Sequence, residues 1–290
     1  MFSACSFGHR FLEYNNSRRT FSSMPKFNEM IRLHNGIEMP SLAFDTYGLT
    51  AGTAHDAVLH HLQCGGRHID TSADFGVEKQ IAAAIADSGI PRNELFLTDE
   101  IPGGEANHDA AVRAVEVSLK RLASDYVDLL LMGWCGGTSK DDPDNTKADT
   151  AWSALETVYK NGNAHSIGIL DFQPWQIEYL LQRTEIVPMV SLVPIYPGYP
   201  STASVKANKE HNFCTVAYLP RKIRQVLDYT EIHIFAEKYH TDPLDIVTQY
   251  VRQKADALTI TVPFNEVKEE SFRFSEPELK YLDVMKDYGV

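Results

Sequence analysis

Carboxylates stand at the ends of apolar runs along this sequence. Asp45 follows the run at 42–44, Asp70 closes the run at 68–70, Glu100 comes just after the run at 95–98, and Asp171 follows the run at 166–170. Carboxyl groups can act as general acids and bases, or as hard oxygen ligands for Mg²⁺ or Ca²⁺. The metal reading would draw on Asp70, Asp74, Asp99, Glu100 and Asp171. Neighbouring residues of a strand point to opposite faces, however, so Asp99 and Glu100 cannot both reach one site. No metal is therefore expected. His68 lies two residues before Asp70 and reads as a satisfied core histidine. His60 and His61 show no ligand spacing, and Cys5, Cys64, Cys135 and Cys214 are far apart with no CxxC pair.

The elements that position these acids follow from the pattern of the chain. Apolar runs fall at 42–44, 68–70, 95–98, 127–132, 166–170, 189–193, 215–218 and 258–262. Amphipathic segments such as 110–122 and 150–159 lie between them, which implies repeated βα units, a parallel sheet and right-handed crossovers. Eight such units close into an α/β fold, a (β/α)8 TIM barrel, and 290 residues suffice for one. Ahead of the barrel, residues 30–33 and 37–39 flank Asn35-Gly36 and predict an N-terminal β-hairpin. Residues 136–145, rich in Gly, Ser, Asp and Pro, read as a surface loop. In a barrel of this kind the chemistry sits where the strands end, which singles out Asp45, Asp70, Glu100, Gly133, Asp171, Ser191 and Tyr218.

Residues 1–23 carry Arg10, Arg18 and Arg19 against the single acid Glu13. They read either as a mitochondrial targeting segment or as an extension ahead of a true start at Met24, leaving 24–290 as a single barrel. The expected location is cytoplasmic, or mitochondrial if that segment is a presequence. A formal charge of −12 disfavours nucleic acid and anionic lipid as partners. No apolar run approaches the roughly 20 residues that span a bilayer, so no membrane association is expected.

Four segments share a recognisable frame: His68-Ile69-Asp70-Thr71-Ser72-Ala73-Asp74-Phe75-Gly76, Leu95-Phe96-Leu97-Thr98-Asp99-Glu100, Arg121-Leu122-Ala123-Ser124-Asp125-Tyr126-Val127-Asp128-Leu129-Leu130, and Leu131-Met132-Gly133-Trp134. Together with Gly168, Phe172, Ala217-Tyr218 and Pro220 they resemble the aldo-keto reductase family over residues 31–282. In that family a Tyr protonates the substrate carbonyl while NADPH delivers hydride; a Lys paired with an Asp tunes the Tyr, and a His orients the substrate. The resemblance puts Phe75 at the Tyr position, Glu100 at the Lys, Gly133 at the His and Asp70 at the Asp. It also puts Leu170-Asp171 and Leu192 where the family holds the nicotinamide amide, and Pro263-Phe264-Asn265 where it clamps the adenosine phosphate. Tyr218 matches the residue that stacks on the nicotinamide, with Arg221, Lys222 and Arg224 behind it. The plainer reading of these four, an aromatic wall and a solvated loop, is preferred.

On this pattern the chain is expected to be a divergent member that has lost most of the catalytic tetrad and, with it, NADPH-dependent carbonyl reduction. Asp70 and Glu100 occupy positions whose counterparts touch, so one of them should keep a proton near neutral pH. They would serve a cofactor-independent isomerase, cyclase or lyase. A pocket walled by Asp45, Tyr47, Phe75, Trp134, Asp171 and Phe172 would take a neutral or cationic small molecule. No cofactor is expected, NADPH being implied by the resemblance alone. The alternatives are a non-catalytic regulatory or binding subunit with a protein partner, and a conventional NADPH-dependent oxidoreductase.

Overall fold

A computed structural model describes residues 29–101, 107–219, 223–261, 267 and 272–285. The segment 1–23, with its alternative readings, lies outside the described residues, as do Arg221, Lys222 and Pro263-Phe264-Asn265.

The hairpin forms as expected. Strands β1 (Met30–Arg32) and β2 (Glu38–Pro40) pair antiparallel with Ile31 opposite Met39. Gly36 makes the turn at φ +90°, a conformation only glycine adopts without strain. Asn35 holds the turn to the barrel by donating from Nδ2 to the carbonyl of His165 at 3.0 Å.

The eight apolar runs are the eight barrel strands: β3 (Leu42–Asp45), β4 (His68–Ser72), β5 (Phe96–Ile101), β6 (Leu129–Gly133), β7 (Ile167–Leu170), β8 (Val190–Pro194), β9 (Cys214–Tyr218) and β10 (Ala257–Ile260). All neighbours run parallel, and β10 pairs with both β9 and β3, so the sheet closes into a barrel. Among the described residues the crossovers include α1 (Ala54–Gln63), α2 (Glu78–Ser88), α3 (His108–Arg121), α4 (Thr146–Lys160), α5 (Pro174–Leu181) and α6 (Thr202–Glu210). They continue with α7 (Ile223–Leu227), α8 (Thr230–Tyr239) and α9 (Pro243–Arg252), and α10 (Glu276–Asp283) follows the last strand. The segment 136–145 is a loop closed by a short helical turn, Pro143–Asn145. No helix among the described residues is long and apolar enough to cross a membrane.

Alternation along the strands decides what fills the bore. His68, Asp70, Thr98, Leu129, Leu131, Val190, Leu192, Val216 and Thr259 line a small void inside it, and Met39 of the hairpin closes it from below. His68 is a satisfied core residue. Its Nδ1 donates to the carbonyl of Pro40 at 3.1 Å, which leaves Nε2 to accept from the Thr98 hydroxyl at 2.8 Å. Burial holds its pKa down at about 4, so the ring is neutral under the acids above it.

Candidate active site

The acids converge at the mouth. Asp45 ends β3, and its Oδ1 accepts from the backbone N–H of Tyr47 at 2.8 Å. Burial pushes its pKa up to about 6, against the pull of that N–H. Asp70 lies directly across from Asp45 in the β3–β4 register, is 5% exposed, and has the Thr259 hydroxyl as its side-chain neighbour. Burial first, then the charges of Glu100 and Asp45, raise it well above the ordinary carboxylate range. Glu100 stands two residues beyond Thr98, the register partner of Asp70, so it lies one layer nearer the opening. Burial and the charges of Asp45, Asp99, Asp171 and Asp74 push it up to about 8.

Asp99 faces the other way, as strand alternation requires. Its Oδ2 accepts from the Ser118 hydroxyl of α3 and its Oδ1 accepts from the N–H of Glu100 at 3.0 Å. Burial brings it to about 7. Among the described residues no three His, Cys, Asp or Glu side chains are placed to hold a metal ion. Replacing Ser118 with Ala leaves a buried acid without its side-chain donor. A loss of about 1–3 kcal/mol in unfolding free energy is expected, which a denaturant titration checks.

Across the mouth, Asp171 adopts φ +57° just past β7, and its Oδ2 accepts from the Tyr218 hydroxyl at 2.7 Å. Burial raises its pKa, and this hydrogen bond opposes the rise. The Tyr218 phenol is itself raised by burial and by Asp171, so it stays protonated. Tyr47 and Phe75 meet edge to face at 5.2 Å beside Asp45. Trp134 follows β6 and donates from Nε1 to the carbonyl of Gly137 at 2.8 Å. It packs at right angles on Phe172 at 5.3 Å, and Phe172 is fully buried. Phe172 thus backs the Trp134 ring rather than facing the opening. A Cβ placed on Gly133 would meet nothing within 4 Å, so that position leaves room.

Thr259 is the residue that sequence reasoning passed over. Its hydroxyl lies in the same void as Asp70, 1% exposed, and its hydrogen bond to the Asp70 carboxyl works against the rise in the Asp70 pKa. Period-two alternation along 258–262 puts Thr259 and Thr261 on one face, and the strand ends at Ile260, so Thr259 is the one that lies inside the barrel.

The description "Aldo/keto reductase family" belongs to the family model that matches residues 43–222. A glyoxal reductase of Bacillus subtilis is 29% identical over 267 residues, covering 89% of this chain and 92% of its own length. An aldo-keto reductase from a Medee basin deep-sea metagenome library superposes with a TM-score of 0.77 at 26% identity, covering 89% of this chain and 96% of the other. A Bombyx mori aldo-keto reductase solved in complex with NADP superposes with a TM-score of 0.73 at 23% identity, covering 88% and 92%.

These findings correct two expectations. The reading as a cofactor-independent isomerase, cyclase or lyase, or as a non-catalytic pseudoenzyme, gives way before a family model and relatives that are reductases. The expectation of no cofactor gives way with it, since the chain matches the model of a reductase family and a reductase along most of its length. The physical reason lies in the charge count. The substitutions at the tetrad positions suggested an acidic mouth without a cofactor, but burial raises the pKa of both Asp70 and Glu100 and favours their neutral forms. The mouth is acidic in composition and far less so in charge.

Proposed function

Because this chain belongs to the aldo/keto reductase family, we propose that it is an NADP(H)-dependent oxidoreductase that reduces a small carbonyl compound, with a carboxyl group in place of a phenol as proton donor. The observation that carries this reading is Glu100: a carboxyl at the mouth of the barrel, held protonated up to about pH 8 by burial and by the acids around it. A general acid works best with a pKa near the working pH.

The residues at the mouth fit the nicotinamide end of the cofactor. Tyr218 offers an aromatic face whose position is fixed by its bond to Asp171. Asp171 can accept from the carboxamide N–H, a role that the apolar Leu170 and Leu192 cannot take. Asp45, Asp171 and their neighbours also favour a nicotinamide ring that turns cationic on oxidation. The bound cofactor would supply the hydride to the carbonyl carbon.

The chain's own residues then manage the proton. Glu100 gives its carboxyl proton to the carbonyl oxygen as the C=O π pair becomes an O–H bond, leaving the alcohol and a Glu100 carboxylate. Asp70 lies deeper and is also raised, by burial first and then by the charge of Glu100, so the pair resists carrying two charges at once. The carboxylate, partly open to solvent at the rim, recovers its proton from water. Phe75, without a hydroxyl, serves as an apolar wall against Tyr47. In this reading the divergence of the tetrad is a transfer of the acid role from one strand end to another.

Titration of the full chain with NADPH, followed by loss of NADPH absorbance with a panel of small aldehydes, tests the proposal. Micromolar binding and aldehyde-dependent consumption are expected. No binding up to millimolar concentration would overturn it.

A further inference from the structure

A glycine in a strand gives up side-chain packing and costs backbone entropy, so its presence needs a physical reason. At Gly168 in β7 the reason is packing, since a Cβ there would come to 2.5 Å from the Val190 carbonyl oxygen and 2.7 Å from Leu131 Cδ2. At Gly133, which ends the neighbouring strand β6, the fold supplies no such reason. Its φ lies outside the left-handed region, and a Cβ would meet nothing within 4 Å. A strand glycine that the fold does not require marks a place where a ligand comes close.

The missing side chain falls inside the barrel, beside the carboxyl proposed as proton donor. Leu129 and Leu131 line the void in the bore, so Gly133, two residues further on, faces the same way. Glu100 pairs with Leu131 in the β5–β6 register. Gly133 is therefore one strand across and two residues above it, about 8 Å away between Cα atoms. Gly133 pairs in turn with Leu170, and Leu170 with Leu192, which also lines the void. The three make one inward row across β6, β7 and β8, and its first member has no side chain. What results is a notch at the rim, walled by the half-buried Leu170. Around the closed barrel these strands stand between β5, which carries Glu100, and β9, which carries Tyr218.

We propose that the notch at Gly133 seats an apolar substituent on the reacting carbonyl carbon, so that this position admits ketones and sets their size. The proposal rests on the reductase reading for its reaction. With the carbonyl oxygen at Glu100 and the nicotinamide on the Tyr218 side, one of the two carbon substituents points into the row. An alkyl group there is buried against Leu170 and gains the free energy of leaving water. An aldehyde, with hydrogen on that side, leaves the notch unfilled.

Gly133→Ala and Gly133→Val in the full chain fill the notch by steps. With NADPH saturating, kcat/KM is measured for propanal, butanone and pentan-3-one, which carry hydrogen, methyl and ethyl on one side of the same propionyl group. The ketone-to-propanal ratio should fall at least about tenfold in Gly133→Val, because a methylene's worth of space is typically worth about 10- to 200-fold. Gly133→Ala should lie between, and pentan-3-one should lose more than butanone. The Tm of Gly133→Ala should rise by about 1–3 °C, since the strand has room for the methyl and no need of glycine. A lower Tm would show that the strand itself requires glycine and would overturn the proposal, as would a ratio that neither variant changes. Wild-type protein that consumes NADPH with propanal and refuses both ketones removes the proposal and leaves the reductase. Consumption with none of the three removes the reductase reading, and the proposal with it.

Discussion

Replacing Glu100 with Gln should lower the rate of carbonyl reduction by about 10²- to 10⁴-fold, the usual cost of removing a general acid. The amide keeps the shape and the hydrogen-bonding capacity of the carboxyl but has no proton to give at any working pH. NADPH affinity should change little, because Tyr218 and Asp171, which would hold the nicotinamide, remain bound to each other. The loss should therefore fall on kcat rather than on cofactor binding. Steady-state kinetics together with a binding titration read the two quantities separately. A variant that retains most of the wild-type rate would show that the proton comes from elsewhere.

The same substitution should make the protein more stable, and by an amount that depends on pH. Glu100 titrates at about 8 in the folded chain against an ordinary value of 4.5. Below pH 4.5 the carboxyl is protonated whether the chain is folded or not, and its contribution is fully present. Between 4.5 and about 8 the unfolded chain has released the proton and the folded chain has not, so stability falls steadily as pH rises. Above about 8 both states are ionised and the loss is complete. Gln has no such loss, so the advantage of the variant should be near zero at low pH and greatest above pH 8. A gain of about 1–3 kcal/mol is expected there, equal to several degrees in Tm for a domain of this size. Thermal melts of both proteins across this range check it. A gain in stability that accompanies a loss of activity is what a functional, destabilised group produces, and it separates loss of chemistry from loss of fold. An inert Glu100 that turns to solvent would give no pH-dependent gain.

Most of the fold was legible because barrel strands are short, buried and evenly alternated with amphipathic helices. Each apolar run from 42–44 to 258–262 became a strand, and Asn35-Gly36 placed the hairpin turn. Boundaries were less so. The strand Phe96–Ile101 runs past the apolar segment at 95–98 through Asp99 and Glu100, because Asp99 is satisfied by Ser118 on the outer face and Glu100 faces the bore. Nothing local in Thr98-Asp99-Glu100 announces a strand; the register with β4 and β6 imposes it.

The residue types at the site were legible, and their charge states only in part. Asp45, Asp70, Glu100 and Asp171 were found from their places at strand ends, and the contact expected between Asp70 and Glu100 pointed to one retained proton. Burial depth, which depends on the closed barrel, raises the pKa of both acids as the largest cause. Phe172 likewise read as a wall of the pocket, and only the packing of Trp134 across it shows that it stands one layer back. The left-handed backbone of Asp171 carried only a weak signal, since Asp is one of the few residues besides Gly that visit this region.

The central claim is that Glu100 delivers the proton, and the pH dependence of single-turnover hydride transfer tests it most directly. With NADPH and aldehyde premixed at saturation, the wild-type rate should be level at lower pH and fall about tenfold per pH unit above the pKa of Glu100, near 8 in the free protein. A rate that stays level well beyond that point, or a profile that Glu100→Gln leaves unchanged, would contradict the account.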